Sequence, residues 1–146
     1  MTINQTIFVL NGPNLNLLGT REPEIYGTDT LDDIASRLHD QALDMALSID
    51  FRQSNHEGHL IDWLHEAQAA GAKAVILNAA GLTHTSIALH DAIKAITVPV
   101  IEVHISDPEK REEFRHFSYV SLSAVKTIAG LGSKGYSLAL DVAAKL

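Results

Sequence analysis

Residues able to grip and deprotonate a small oxygenated molecule crowd one stretch, Asn11 to Gly27, which reads NGPNLNLLGTREPEIYG. It offers amides at Asn14 and Asn16, a guanidinium at Arg21, a carboxylate at Glu22 and a phenol at Tyr26. Its glycines and prolines argue against regular structure. A loop this long between a strand and a helix is more often functional than not. The competing reading is a surface loop with ordinary solvated polar groups.

A second group lies near residue 100. Glu102 and His104 are two residues apart in a strand-like run, so alternation puts both side chains on one face. A carboxylate beside an imidazole can fix its tautomer and hold it protonated as a general acid. Arg21, Arg111 and Arg115 fall in loops after the first and fourth strand candidates of an acidic chain. Together they would make an electropositive pocket suited to a small carboxylate or phosphate. Alternatively, Arg111 and Arg115 pair with Glu109, Glu112 and Glu113 as a solvated charge run.

The elements that must position these groups alternate between strand and helix. Strand-like runs are expected at 6–10, 48–53, 74–77, 98–103 and 124–129. The run at 74–77 is apolar throughout, the mark of burial on both faces, whereas the alternating run at 48–53 suits a sheet edge. Thr30-Leu31-Asp32-Asp33 has the form of a helix cap and precedes Leu31, Ile34, Leu38 and Met45 at helical spacing. Further helices are expected around Leu60–Ala67, stopped by Gly71, around Ile87–Ile93, and from Tyr136 to Leu146. Residues 104–117 form a charged connection with room for a helical turn. Such alternation predicts an α/β fold with a parallel sheet covered on both faces. Ligands of open α/β sheets bind outside the carboxyl ends of the strands. There the sequence places Asn11, Ser54-Asn55, Asn78 and His104, hydrogen-bonding residues on one rim.

At 146 residues the length predicts one domain, 1–146. A net charge of −7 with no basic stripe argues against nucleic-acid binding. No apolar run is long enough for a membrane span, and no signal-peptide pattern opens the sequence. The absence of cysteine rules out disulfides and fits a reducing cytoplasm, which is the expected location. Eight histidines raise the question of a metal, but His56-x-x-His59 lacks a recognisable third ligand and no metal is expected.

The stretch 11–27 closely resembles the opening signature of type II 3-dehydroquinate dehydratases. The resemblance extends in order through Gln53-Ser54-Asn55-His56-Glu57-Gly58, Thr83-His84-Thr85-Ser86 and Glu102-Val103-His104-Ile105-Ser106. It continues through Arg111-Glu112-Glu113-Phe114-Arg115-His116 to the closing Gly130-x-Gly132-x-x-Gly135-Tyr136. It implies a flavodoxin-like three-layer sandwich with a five-stranded parallel sheet. The implied activity is loss of water from 3-dehydroquinate to give 3-dehydroshikimate, without metal or organic cofactor. By the same resemblance Tyr26 is the base, His104 the acid, and Asn14 the stabiliser of an enolate through an ordered water. Arg21 lies on a mobile lid and assists Tyr26. Glu102 and Arg111 complete the catalytic set. Asn78, His84, Ile105, Ser106 and Arg115 hold substrate. Asp91 resembles the residue that enters a neighbouring subunit's site in a homododecamer built from trimers.

Departures from the family pattern fall at Asn78-Ala79-Ala80-Gly81-Leu82, where Asn-Pro-Gly-Ala-Tyr is commoner, at Asp107-Pro108-Glu109-Lys110, and at Phe117. Asp107 and Glu109 add negative charge beside an anion site. The chemistry is physically reasonable. A free phenol has a pKa near 10, so only about one in a thousand is ionised at neutral pH. One guanidinium at ~4 Å is worth roughly 4 kcal/mol at an effective dielectric near 20, enough to make a phenol a usable base. Arg21 and Arg111 are the cations available. Of six lysines only Lys110 is expected in a loop that reaches the rim, with Lys73, Lys94, Lys126, Lys134 and Lys145 elsewhere, so a Schiff-base route is disfavoured. The alternatives are a flavodoxin-type nucleotide or flavin module, for which no phosphate-cradling glycine pattern is present, and a structural assembly protein.

Overall fold

The computed structural model describes residues 5–20 and 22–146; Arg21 and the first four residues lie outside the described residues. Five parallel strands, β1 (Gln5–Asn11), β2 (Leu47–Gln53), β3 (Ala74–Asn78), β4 (Val100–His104) and β5 (Lys126–Ala129), form one sheet in the order β2-β1-β3-β4-β5. Helices α2 (Leu31–Leu43) and α5 (Lys134–Ala144) cover one face, around Ile7, Val9, Ile76, Ile101 and Leu140. Helices α3 (Glu57–Ala69) and α4 (Ile87–Ala95) cover the other, around Phe8, Leu10, Val75, Leu77 and Leu89. Both faces are thus packed, which is why β1 and β3 consist of near-continuous apolar runs. The strand order is the flavodoxin-like doubly wound one, and it puts β2 and β5 at the edges. Among the described residues no helix is long and apolar enough to cross a membrane.

Local chemistry explains the boundaries. Thr30 and Asp33 close a reciprocal capping box that starts α2. Gly71 follows α3 with a φ of +68°, the left-handed geometry that ends helices. At Gly12, a Cβ would lie 2.6 Å from the carbonyl oxygen of Ala79, so only glycine lets β1 and β3 turn outward side by side.

Two expectations need correction and one is refined. The stretch 11–27 is not without regular structure. It carries a 3-10 turn at Leu15–Leu17 and a one-turn helix, α1 (Pro23–Tyr26), because Pro23 at the first helical position loses no hydrogen bond there. The connection 104–117 was expected to have room for a helical turn, and it holds two of the 3-10 kind, Pro108–Lys110 and Glu113–Arg115. Asp107, one of the departing residues, caps the first of them by accepting the Glu109 N–H at 3.0 Å. Finally, α5 begins at Lys134, so that lysine is not remote from the strand ends as expected. It lines a cavity of about 650 Å³ together with Lys110 and Asp107.

Candidate active site

The last residues of β1, β3 and β4 are Asn11, Asn78 and His104, and all three are buried. Buried amides require partners, and here they find one another through a phenol. Tyr136 Oη donates to Asn11 Oδ1 at 2.7 Å and accepts from Asn78 Nδ2 at 2.9 Å. Asn11 Nδ2 donates to the Arg52 carbonyl, and Asn78 Oδ1 accepts the Ala80 N–H. Burial pushes the Tyr136 phenol far above its ordinary pKa, so it stays a neutral hydrogen-bond linker. This network ties three strands to α5 and fixes the floor of a cavity of about 170 Å³.

The cavity is lined by Asn14, Tyr26, Asn78, His84, His104, Ile105, Ser106, Arg111 and Arg115, nine of the anticipated site residues. Sequence reasoning missed Leu15, Pro108, Ala80 and Gly81, which supply further wall. On one side the Arg111 guanidinium donates to the Tyr26 phenol oxygen at 2.8 Å and lies 5.3 Å from the ring centroid. Arg111 Nη1 also approaches Ser106 Oγ at 3.4 Å. The Ser106 and Ile105 carbonyls accept the N–H groups of Gly130 and Gly132, which fixes the peptide units there.

Glu102 and His104 share a face of β4, and His104 Nε2 lies 2.6 Å from Glu102 Oε2. Burial pushes the Glu102 carboxyl up, but the His104 hydrogen bond and charge, helped by the Ser121 and Ser118 hydroxyls, outweigh it and hold the pKa at about 2. His84 stacks on His104 with ring centroids 6.5 Å apart. Its Nδ1–H donates to the Phe117 carbonyl at 2.7 Å. Burial lowers the His84 pKa against the pull of that carbonyl, with His104 and Arg115 adding to the lowering.

The two readings of the arginines turn out to be compatible. Glu112 pairs with Arg115 at 3.2 Å and reaches Arg111 at 3.8 Å, while both guanidinium groups still line the cavity. Asn14 sits in the left-handed region with a φ of 70°, and its N–H donates to Asn55 Oδ1 at 2.9 Å. That bond links the loop after β1 to the turn after β2. Asp91 is exposed on α4 and does not line the cavity of its own chain. Arg21 falls outside the described residues. Of the paired histidines, His59 Nδ1 bonds Ser54 Oγ at 2.7 Å and its ring stacks on Trp63, so it is a packing residue.

The family described as dehydroquinase class II matches residues 5–144. A 3-dehydroquinate dehydratase of Caulobacter vibrioides is 58% identical over 94% of this chain and 93% of its own. One from Corynebacterium glutamicum is 56% identical over 96% of each. Among solved structures, the type II dehydroquinase from Propionibacterium acnes superposes with a TM-score of 0.95 at 46% identity, covering 100% of both chains. That from Butyrivibrio crossotus gives 0.94 at 38% identity, over 96% of this chain and 97% of its own. With a cavity floored by the strand ends, a phenol on a guanidinium and an imidazole on a buried carboxylate, this chain belongs to the class II dehydroquinase family.

Proposed function

We infer that the chain is a hydro-lyase that removes water from 3-dehydroquinate to give 3-dehydroshikimate through an enolate. The observation that carries this reading is one small cavity lined by both a guanidinium-bound phenol and a carboxylate-bound imidazole. Tyr26, as phenolate, takes the proton from the carbon next to the ketone, and the C–H electron pair moves into the enolate. The enolate then expels the hydroxyl. His104 passes its proton to that oxygen, so the C–O bond breaks and water leaves. With Nε2 on Glu102, the proton leaves from Nδ1. Developing charge on the enolate oxygen needs a donor already in place, a role suited to Asn14 acting through an ordered water.

Arg115, Asn78, His84 and the Ile105–Ser106 backbone hold substrate, and Arg21 joins Arg111 at Tyr26. Both ends of the Asn78 side-chain amide are engaged, Nδ2 donating to Tyr136 and Oδ1 accepting from Ala80, so its contribution to binding runs through the second Nδ2–H. The reaction uses protein side chains alone and serves the shikimate pathway of aromatic amino acid biosynthesis in the cytoplasm. The exposed position of Asp91 suits a residue presented to a second copy, in a homododecamer that is a tetramer of trimers.

The test is direct. On adding 3-dehydroquinate, absorbance of the conjugated enone product should rise, and should not rise with His104→Ala. Purified wild-type protein that binds the compound yet forms no enone would overturn the reading.

A further inference from the structure

Glu102 is 1% exposed, yet its carboxylate has four hydrogen-bonding partners. His104 Nε2 and Ser118 Oγ reach Oε2 at 2.6 and 2.7 Å, and Ser121 Oγ and Thr127 Oγ1 reach Oε1 at 2.5 and 2.7 Å. An imidazole alone satisfies one side of one oxygen. A carboxylate buried with only that partner would be costly to keep charged, and the proton would move toward it. The hydroxyls supply the missing donors.

Their placement is itself held in position. Ser118 Oγ accepts the Ser121 N–H at 3.0 Å, and Ser121 Oγ lies 3.4 Å from Thr127 Oγ1. Between them, the Tyr119 N–H donates to the Thr83 carbonyl, and His90 Nδ1 lies 3.1 Å from the Tyr119 carbonyl, which locks this segment against the start of α4. Thr127 is fixed by the pairing of Glu102 with Thr127 in the β4–β5 ladder. A cavity of about 120 Å³ backs this cage. The charged and titratable groups around it are His84 and Arg115 on the substrate side and Asp107, Glu109 and His116 on the outer side.

We propose that Ser118, Ser121 and Thr127 are positioning residues for the acid, keeping Glu102 a carboxylate aimed at His104 so that the imidazolium gives its proton to the leaving hydroxyl. In that step one N–H bond of His104 breaks and one O–H bond of water forms. Glu102 stays ionised throughout. The inference rests on His104 being the acid of the proposed reaction.

The experiment compares Ser118→Ala, Ser121→Ala, Thr127→Val and Thr127→Ser across a pH series of kcat and KM. A lost hydrogen bond to a charged group corresponds to about a tenfold change in the carboxyl's proton affinity. Glu102 is held low in the native protein, so removing a donor raises its pKa. A Glu102 carboxyl that takes up the shared proton leaves His104 none to give, so kcat should fall by up to about tenfold across the plateau of its pH profile in the alanine and valine variants, with KM nearly unchanged. Thr127→Ser restores the hydroxyl and should restore the wild-type plateau. Alanine and valine variants that keep the wild-type plateau would overturn the proposal, as would Thr127→Ser behaving like Thr127→Val. If His104→Ala itself retains turnover, the failure belongs to the reading of the acid rather than to the cage. Should either serine variant fail to fold, the isosteric Thr127→Val and Thr127→Ser pair still decides.

Discussion

The two halves of the cavity are built in opposite ways. His104 ends a central strand, 8% exposed, and its partner Glu102 is surrounded by hydroxyls. Tyr26 ends a one-turn helix whose cap, Glu22, is in the left-handed region, and its phenol is on Arg111. One side is fixed by the sheet and the other by a loop. The difference teaches that the acid side carries both folding stability and chemistry, whereas the base side carries chemistry with little stability at stake.

Deleting the phenol oxygen on the loop side and the one that ties the ends of β1 and β3 to α5 sharpens the contrast between loop and sheet most. Tyr26→Phe removes the proton acceptor while the ring remains to pack, and a general base contributes about 10²–10⁴-fold. We expect kcat to fall about a thousandfold, with substrate affinity and melting temperature close to wild type. Near-normal turnover in that variant would remove Tyr26 from the mechanism. Tyr136→Phe removes the same atom from the floor, leaving Asn11 Oδ1 and Asn78 Nδ2 buried without that partner. The cost should be about 2–3 kcal/mol, lowering the melting temperature by several degrees while kcat at 25 °C changes far less. Calorimetry of the two variants side by side checks the comparison. Equal thermal shifts would break it.

Acid titration probes the same asymmetry more gently. The Glu102 carboxyl is depressed from 4.5 to about 2 in the folded chain. A depressed carboxyl contributes stability that is fully present above its unfolded pKa and is lost as pH falls through the folded value. The loss should therefore run from about pH 4.5 down to about pH 2. Melting temperature followed between pH 6 and pH 3 should fall less steeply in Glu102→Gln than in wild type. Parallel curves would show that the pair does not link to folding.

A smaller effect is expected at Ala80, on the loop after β3. It has a φ of 53°, the region that glycine tolerates best, and it is the position where the commoner family pattern has glycine. Relief of the left-handed strain should exceed the entropy that glycine adds to the unfolded chain. Ala80→Gly should raise stability by less than about 1 kcal/mol, or roughly 2 °C. A fall in melting temperature would mean that the loop bears no strain.

What the sequence disclosed follows the same division. Periodicity suffices for strands packed on both faces, so β1, β3 and the edge position of β2 were readable. The Glu102–His104 contact followed from strand alternation, since residues two apart must share a face. The loop 11–27 was readable in content but not in shape, because a one-turn helix leaves no period to detect. The Tyr136 network and the hydroxyls on Glu102 were hidden for a different reason. They join residues as far apart as Asn11 and Tyr136, whose meeting is set by the packing of α5 on the sheet and by no local pattern. Serines and threonines in a turn ordinarily signal turn geometry, so nothing in residues 118–127 marked them as partners of a buried acid.

The smallest effect expected is none, and it tests whether any lysine enters the chemistry. Lys110 and Lys134 line the neighbouring 650 Å³ cavity, whereas no lysine lines the 170 Å³ cavity among the described residues. A Schiff base needs an unprotonated amine against the ketone. Glu24, Asp29 and Asp107 line that larger cavity with them. Lys110→Met and Lys134→Met should therefore keep kcat within about twofold, the span expected of substitutions away from the chemistry. Borohydride added to enzyme and substrate should leave activity intact and the protein mass unchanged. A substrate-sized mass increment on either lysine would replace the enolate route with an imine one and remove the need for Tyr26 as base. The base side of the cavity would then be the one misread, while the acid and its carboxylate would retain their geometry.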